Sequence, residues 1–333
     1  MRLVPDIVLR HRPLERATGA RRGALFGVIA LAAIWLAIPI FFGQYTVFIA
    51  AQVMIYAVAT LGLDIVYGRA GQLSLAHASF FGLGAYAAAL SGPLGIPLWI
   101  QPALVLFLAI GGGIIVAVPT LRLSGLRLAL VTLLFGELFD WAIDHSLALT
   151  GGSQGMTVAP ITIGPFNSQG TLDAYLLASA LALGATLLTR QLARSQLGRR
   201  MLAVRDSELA SASLGVPIVH TKITAFILSA VFAGAAGWVY AYVVGFVSPT
   251  TFNLFASVYF LVAVILGGAG RIVGVWLGAA YIVLVPELFN LVGYPNLFPV
   301  LGGGVLIAIA LFLPGGLVEG AELVLAELGR YRR

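Results

Sequence analysis

Between residues 23 and 313 the chain is a succession of apolar runs separated by short polar turns, and each run is close to the length that crosses a bilayer. A hydrocarbon core of ~30 Å asks for about 20 apolar residues in a helix, the one open-ended structure that satisfies every backbone N–H and C=O within its own segment. The runs are Gly23–Phe42, Tyr45–Tyr67, His77–Leu94, Pro97–Leu121, Leu126–Leu149, Leu172–Thr189, Ile223–Val247, Leu254–Leu266, Ile272–Leu291 and Leu297–Leu313. They predict an all-α fold, a polytopic transmembrane helical bundle of about ten spans with some broken or re-entrant helices. Charged residues make up only 10% of the chain, too few to coat a soluble surface, which carries about 25%.

The placement of charge tests that count. With the N-terminus set on the cytoplasmic side and a crossing at each run, every Lys and Arg falls inside, including the isolated Arg69, Arg122, Arg127 and Arg271. A wrong number of crossings breaks this parity. Residues 1–22 then form a basic cytoplasmic arm and 319–333 a cytoplasmic tail, flanking a membrane domain over 23–318. Gly23–Phe42 has no short apolar core with a small-residue cleavage site, so it reads as a first span and not a removed signal. The basic residues lie among apolar spans with no aromatic-interleaved patch, which points away from nucleic acid and toward topology and anionic lipid.

Several chemistries are excluded by residue type. The chain has no cysteine, so thiol catalysis, disulfides and thiolate metal sites are absent. Its four histidines, His11, His77, His145 and His220, are too dispersed for a local metal motif. Its one lysine, Lys222, stands between Thr221 and Ile223, so no phosphate-cradling Gly-Lys-Ser/Thr loop exists. No metal, cofactor or catalytic residue is expected.

The polar tract Arg190–Lys222 divides the apolar halves and holds six of the nineteen Lys and Arg residues. Asp206 as a cap and Gly215 ahead of Pro217 as a stop predict a helix of roughly 8 residues, about 12 Å long, suited to the groove of a soluble partner. Two glycine clusters interrupt the apolar runs, one containing Gly68 and Gly71 and the other Gly267, Gly268 and Gly270. The Gly-Arg-Ala-Gly and Gly-Gly-Ala-Gly sequences at 68–71 and 267–270 each follow an inward-going run and hint at a repeat. Breaks of this kind free backbone groups to line a polar path, with Gln72, Ser74 and His77 beside them or simply packed at the inner end of the span. Glu137, Asp140 and Asp144, at i, i+3 and i+7, share one helix face, where they either line a passage, relay protons or bond to neighbouring groups.

The run GLDIVYGRAGQLSLAHASFFGLGAYAAAL (62–90), with Gly68, Gly71, Gln72, Ser74, Leu75, His77 and Ala78 at its core, resembles the signature of permease subunits of branched-chain amino acid ABC importers. LRLSGLRLALVTLLFGE (121–137), LTGGSQGM (149–156), the tract from Leu197 through KITAFILSAVFAGAAGWVYA to GFVSPTTF, and FLPGGL (312–317) are similar to the same subunits in the same order.

The resemblance implies a bacterial inner-membrane permease with both termini cytoplasmic. It would be paired with a second homologous permease, driven by two cytoplasmic ATPase subunits that bind ATP-Mg, and supplied by an extracytoplasmic solute-binding protein. Arg199, Arg200, Arg205, Asp206, Glu208 and Gly215 would belong to the ATPase-coupling loop 190–222. Gly68, Gly71, Gln72, Ser74, His77 and Glu137 are candidates for the passage, and Thr150, Gly151 and Gly152 for an outer loop that meets the binding protein. Glu208, Ala210, Ala212 and Gly215 are spaced one residue wider than the usual Glu-Ala-Ala-x-x-x-Gly pattern of such loops. Urea or short amides as cargo, and a proton-coupled carrier using Glu137 and Asp140, are the alternatives that the residues leave open.

Overall fold

The computed structural model describes residues 39, 41–121, 123, 125–294, 303–304 and 316–318. The chain divides into two compact units, 1–47 and 48–333. The basic arm 1–22, nearly all of the first expected span, Arg122, the run Leu297–Leu313 apart from Gly303 and Gly304, and the tail 319–333 lie outside the described residues.

All eight remaining runs are helical. α1 spans Gln44–Leu63 and continues as a π-helical turn over Asp64–Arg69. After a non-helical stretch come α2 (His77–Ser91), α3 (Gln101–Thr120), α4 (Leu126–His145) and the short α5 (Leu147–Thr150). α6 (Thr171–Arg194), α7 (Gln196–Asp206), α8 (Glu208–Ser213), α9 (Ile218–Val244), α10 (Leu254–Gly267) and α11 (Ile272–Leu291) complete the series. Among the described residues six helical segments are long and apolar enough to cross a membrane: Gln44–Arg69, Gln101–Pro119, Thr171–Arg194, Ile218–Val244, Pro249–Gly267 and Ile272–Leu291. α2 has only 15 residues, and α4 carries Glu137, Asp140 and Asp144. Among the described residues the fold also departs from pure helix in four two-residue strands. Met156–Thr157 pairs antiparallel with Phe246–Val247, and Thr162–Ile163 folds onto Phe166–Asn167 through a turn begun by Gly164 at φ +59°.

α9 is the axis of the bundle, packing most extensively against α2 and α3. Glycine makes that possible. A Cβ on Gly84 would sit 1.9 Å from the Gly234 carbonyl oxygen, and one on Gly237 would sit 1.8 Å from that of Phe81. α10 and α11 cross in the same way at Gly267 with Gly274 and at Ala263 with Gly278. Between apolar helices in lipid there is little hydrophobic drive to associate, so close backbone approach and dispersion hold the pairs together. α3, α6 and α11 turn Phe107, Ile115, Leu183, Leu187, Leu284 and Leu288 outward, an apolar exterior suited to hydrocarbon.

The polar tract is more ordered than a single short rod. α6 reaches Arg194, α9 already begins at Ile218, and two helices of 11 and 6 residues fill the interval. Asp206 does not cap a helix; it ends α7. Ser207, extended at φ −162°, supplies the cap of α8 as its Oγ accepts from the Ala210 N–H at 3.3 Å. Gly215 stops α8 at φ +76°, with Val216 N–H returning to Ser211 O and Gly215 N–H to Ala212 O, the paired bonds of a left-handed helix terminus.

Candidate functional site

The break after α1 is the chemical centre of the chain. Widening the helix to a π-turn places residues five apart on one face, and so Asp64 meets Arg69, with Oδ2 3.6 Å from Nε. Both residues are buried. The second glycine cluster closes on this pair. Gly270 N–H donates to Asp64 Oδ1 at 2.6 Å, and Arg69 Nη2 donates to Gly270 O at 3.3 Å. The two short motifs that look like a repeat in the sequence are therefore in direct contact. Gly68 has no room for a side chain, since its Cβ would lie 2.0 Å from Asp64 Oδ1 and 2.7 Å from Gly270 N.

The tract between the halves reaches the same point. Arg205, one residue from the end of α7, donates Nη1 to Gly68 O, and its side chain lies against Gly71, which turns the chain at φ +69°. At the first residue of α8, Glu208 Oε1 is 2.7 Å from Nζ of Lys222, a lysine buried in the first turns of α9. Arg205 and Glu208 thus brace α7 and α8 against the bundle. The outward surface is left to Arg199, Arg200, Asp206, Leu209 and Leu214, the two leucines being 81% and 83% exposed.

The backbone freed by the break is satisfied by side chains from other helices. Leu75 N–H donates to Thr132 Oγ1 of α4 at 2.9 Å, and Ala78 N–H donates to Ser257 Oγ of α10 at 3.0 Å. His77 is fully enclosed. The Ala59 carbonyl, 2.7 Å from Nε2, can only accept, so Nε2 carries the proton and Nδ1 receives the Ser229 hydroxyl at 3.3 Å. Its ring edge rests on Phe260. Gln72 and Ser74 are buried too, and Gln72 Oε1 and Ser74 Oγ find no hydrogen-bond partner among the described residues. Of the passage candidates near the break, His77 is a packing keystone joining α1, α2, α9 and α10, whereas Gln72 and Ser74 bring unused oxygens to the break.

Glu137 is exposed on α4, beside Gly136, where a Cβ would lie 3.5 Å from Leu75 O of the break. Thr150 turns inward, its Oγ1 donating to Ile143 O at 2.5 Å and accepting from Gly152 N–H at 3.3 Å. Gly151 and Gly152 take φ +71° and +55° to form that turn, and Ser153 and Gln154 present its outer surface.

Asp64, Arg69, Gly270 and Lys222 carry as much of this geometry as the residues singled out from the sequence. A spacing of five signals nothing on an ordinary α-helix, and Glu208 and Lys222 are joined only by the fold. No group of His, Asp and Glu among the described residues could hold a metal ion. The arrangement links α7 through Arg205 to Gly68, and Gly68 packs against the Asp64 carboxylate that binds Gly270 in the α10–α11 turn.

Residues 45–310 match the family described as branched-chain amino acid transport system / permease component. The chain is 32% identical over 330 residues to the high-affinity branched-chain amino acid transport system permease protein LivM of Salmonella typhimurium, covering 92% of this chain and 76% of that protein. The LivM protein of Escherichia coli matches with the same identity and coverage. The permease protein BraD of Pseudomonas aeruginosa is 24% identical over 292 residues, 80% of this chain and 92% of its own. No solved structure matches the chain.

Proposed function

Because the chain belongs to the branched-chain amino acid transport system permease family, we propose that it forms, with a second homologous permease, the passage of an ATP-driven importer for branched-chain or related amino acids. It is a multi-pass membrane transport subunit and not an enzyme. In this reading about ten spans cross a bacterial inner membrane over residues 23–318, with the arm 1–22 and the tail 319–333 in the cytoplasm. Two ATPase subunits bind ATP-Mg beneath the tract 190–222, and an extracytoplasmic solute-binding protein delivers cargo to the opposite face, where Thr150, Gly151 and Gly152 shape an exposed turn.

One observation carries the mechanism: Arg205 joins the polar tract to Gly68, and the Asp64 carboxylate packed against Gly68 accepts from the Gly270 N–H. When ATP closes the two ATPase subunits, Leu209 and Leu214, seated in their groove, drive α7 and α8 as a rigid body. Arg205 and the Glu208–Lys222 pair pass that movement to both glycine breaks, and the helices beyond them swing between outward and inward access. Glycine at each break lets the backbone change direction without a steric clash. The two LivM proteins and BraD are each named as a permease protein of a high-affinity branched-chain amino acid transport system, which favours the importer reading over a proton-coupled carrier.

The test is purification of the tagged chain from its native membrane in mild detergent, followed by reconstitution. A P-loop ATPase and a second permease are expected in stoichiometric amount, with ATP hydrolysis stimulated by the loaded binding protein. In the reconstituted complex Arg205→Glu should abolish that stimulation while leaving assembly intact. Recovery of the chain alone, even after crosslinking, would reject the proposal.

A further inference from the structure

We infer that the exposed face of α4 bearing Glu137, Asp140 and Asp144, with Tyr86 behind it, is a wall of the solute passage and receives the ammonium group of an amino acid. The inference rests on the importer reading and decides between its two cargo classes, since urea and short amides carry no ammonium.

The three carboxylates lie within two turns on one side of α4, Glu137 and Asp144 exposed and Asp140 half-buried. Among the described residues none of them forms an ion pair. Glu137 stands near the middle of α4, and a charge midway along a span is too costly to face hydrocarbon, so this side of the helix must meet water or protein. Leu130, Leu134 and Trp141 complete the face, and no Lys or Arg occurs between Leu128 and Ser146 to balance its sign. The opposite side of α4, with Leu128, Ala129 and Thr132, is buried.

A second observation lies in α2. Tyr86 is 3% exposed, and its hydroxyl has no hydrogen-bond partner among the described residues. It lies within electrostatic reach of Asp140 and Asp144, on a stretch of α2 whose Gly82 abuts Phe139 of α4. A buried phenol left unpaired one turn along α2 from the Gly82–Phe139 contact is a polar group held in reserve next to α4.

The chemistry selects a cation that is bound weakly and in steps. The carboxylates cannot converge on a single metal ion. Spread along a helix, they offer a moving ammonium successive partners while the solute carboxylate remains hydrated or turned to the opposite wall.

The natural absence of cysteine makes the test direct. Trp141→Cys leaves all three carboxylates in place, and Leu134→Cys gives a second probe of the same face. In the assembled importer each is treated with a trimethylammonium-ethyl and with a sulfonato-ethyl methanethiosulfonate, and the rate ratio is divided by the ratio for a small free thiol. Both cysteines should react, with a corrected preference for the cationic reagent of about tenfold. Adding Glu137→Gln and Asp144→Asn should bring the preference near unity, and should slow uptake of radiolabelled leucine about tenfold while ATP hydrolysis persists. Phe107→Cys, on the apolar exterior of α3, should react with neither reagent. Unreactive cysteines at both 134 and 141 in every nucleotide state, a preference indifferent to neutralisation, or unchanged leucine uptake would each overturn the inference. Failure of the importer reading shows earlier and separately, as absence of a co-purified ATPase.

Discussion

The buried pair Asp64–Arg69 gives the sharpest test of how the break is held. At 3.6 Å and an effective dielectric of about 20, two unit charges attract by about 5 kcal/mol. Desolvation offsets much of this in the intact pair, but loss of one partner leaves the other charge buried and uncompensated, which costs about 3–5 kcal/mol. Asp64→Asn removes the charge and keeps an Oδ1 for the Gly270 N–H. Arg69→Met removes the charge and also the bond to Gly270 O, about 1 kcal/mol more. Asn and Met together leave no orphaned charge, so the double variant should be more stable than the sum of the single losses implies by about 2–4 kcal/mol. The measurement is reversible unfolding of the purified chain by sodium dodecyl sulfate in mixed micelles, followed by fluorescence of its five tryptophans. Additivity within about 0.5 kcal/mol would show the residues to be energetically independent and would refute the account of the break.

Glycine contacts should discriminate by position. Gly84→Ala forces its Cβ into the Gly234 backbone and should cost about 1–3 kcal/mol or more, whereas Gly111→Ala, with open space around it, should be neutral or stabilise α3 by about 0.5–1 kcal/mol, both read in the same titration. Glu208→Lys should sever stimulation of ATP hydrolysis by loaded binding protein, and the swap Glu208→Lys/Lys222→Glu should restore it in part; equal loss in single and swapped variants would assign Glu208 to a partner contact. Leu209→Asp with Leu214→Asp should leave the permease folded and release the ATPase subunits on purification, and their full retention would exclude both leucines from the contact. His77→Ala should lower the unfolding midpoint by loss of two hydrogen bonds and leave Ser229 without its acceptor, while His77→Gln, which can serve one of the two groups, should recover part of that loss.

Much of the architecture is legible in the chain because hydrocarbon imposes a single rule on every span. Eight apolar runs could be placed as helices from length alone, and the described structure has a helix at each. The stop at Gly215, the shared face of Glu137, Asp140 and Asp144, and the break near Gly68 also follow from local chemistry, since spacing on one helix settles them. The cap of α8 was within one residue's reach. Asp206 and Ser207 are equally able cap residues, and the end of α7 decided in favour of the serine.

What local chemistry could not supply was partnership between distant segments. Nothing in the sequence indicates that Gly270 binds Asp64, that Arg205 turns inward to Gly68, or that Lys222 answers Glu208, because each pair joins positions 14 to 206 residues apart whose meeting depends on how the helices pack. The sequence by itself determined the apolar spans, their interruptions and the one-signed face of α4, properties set by solvent and by the geometry of a single helix. The tertiary structure alone decided which interruptions meet, since side-chain hydrogen bonds and close glycine contacts acquire their partners only when α1, α7, α9 and α10 are packed together.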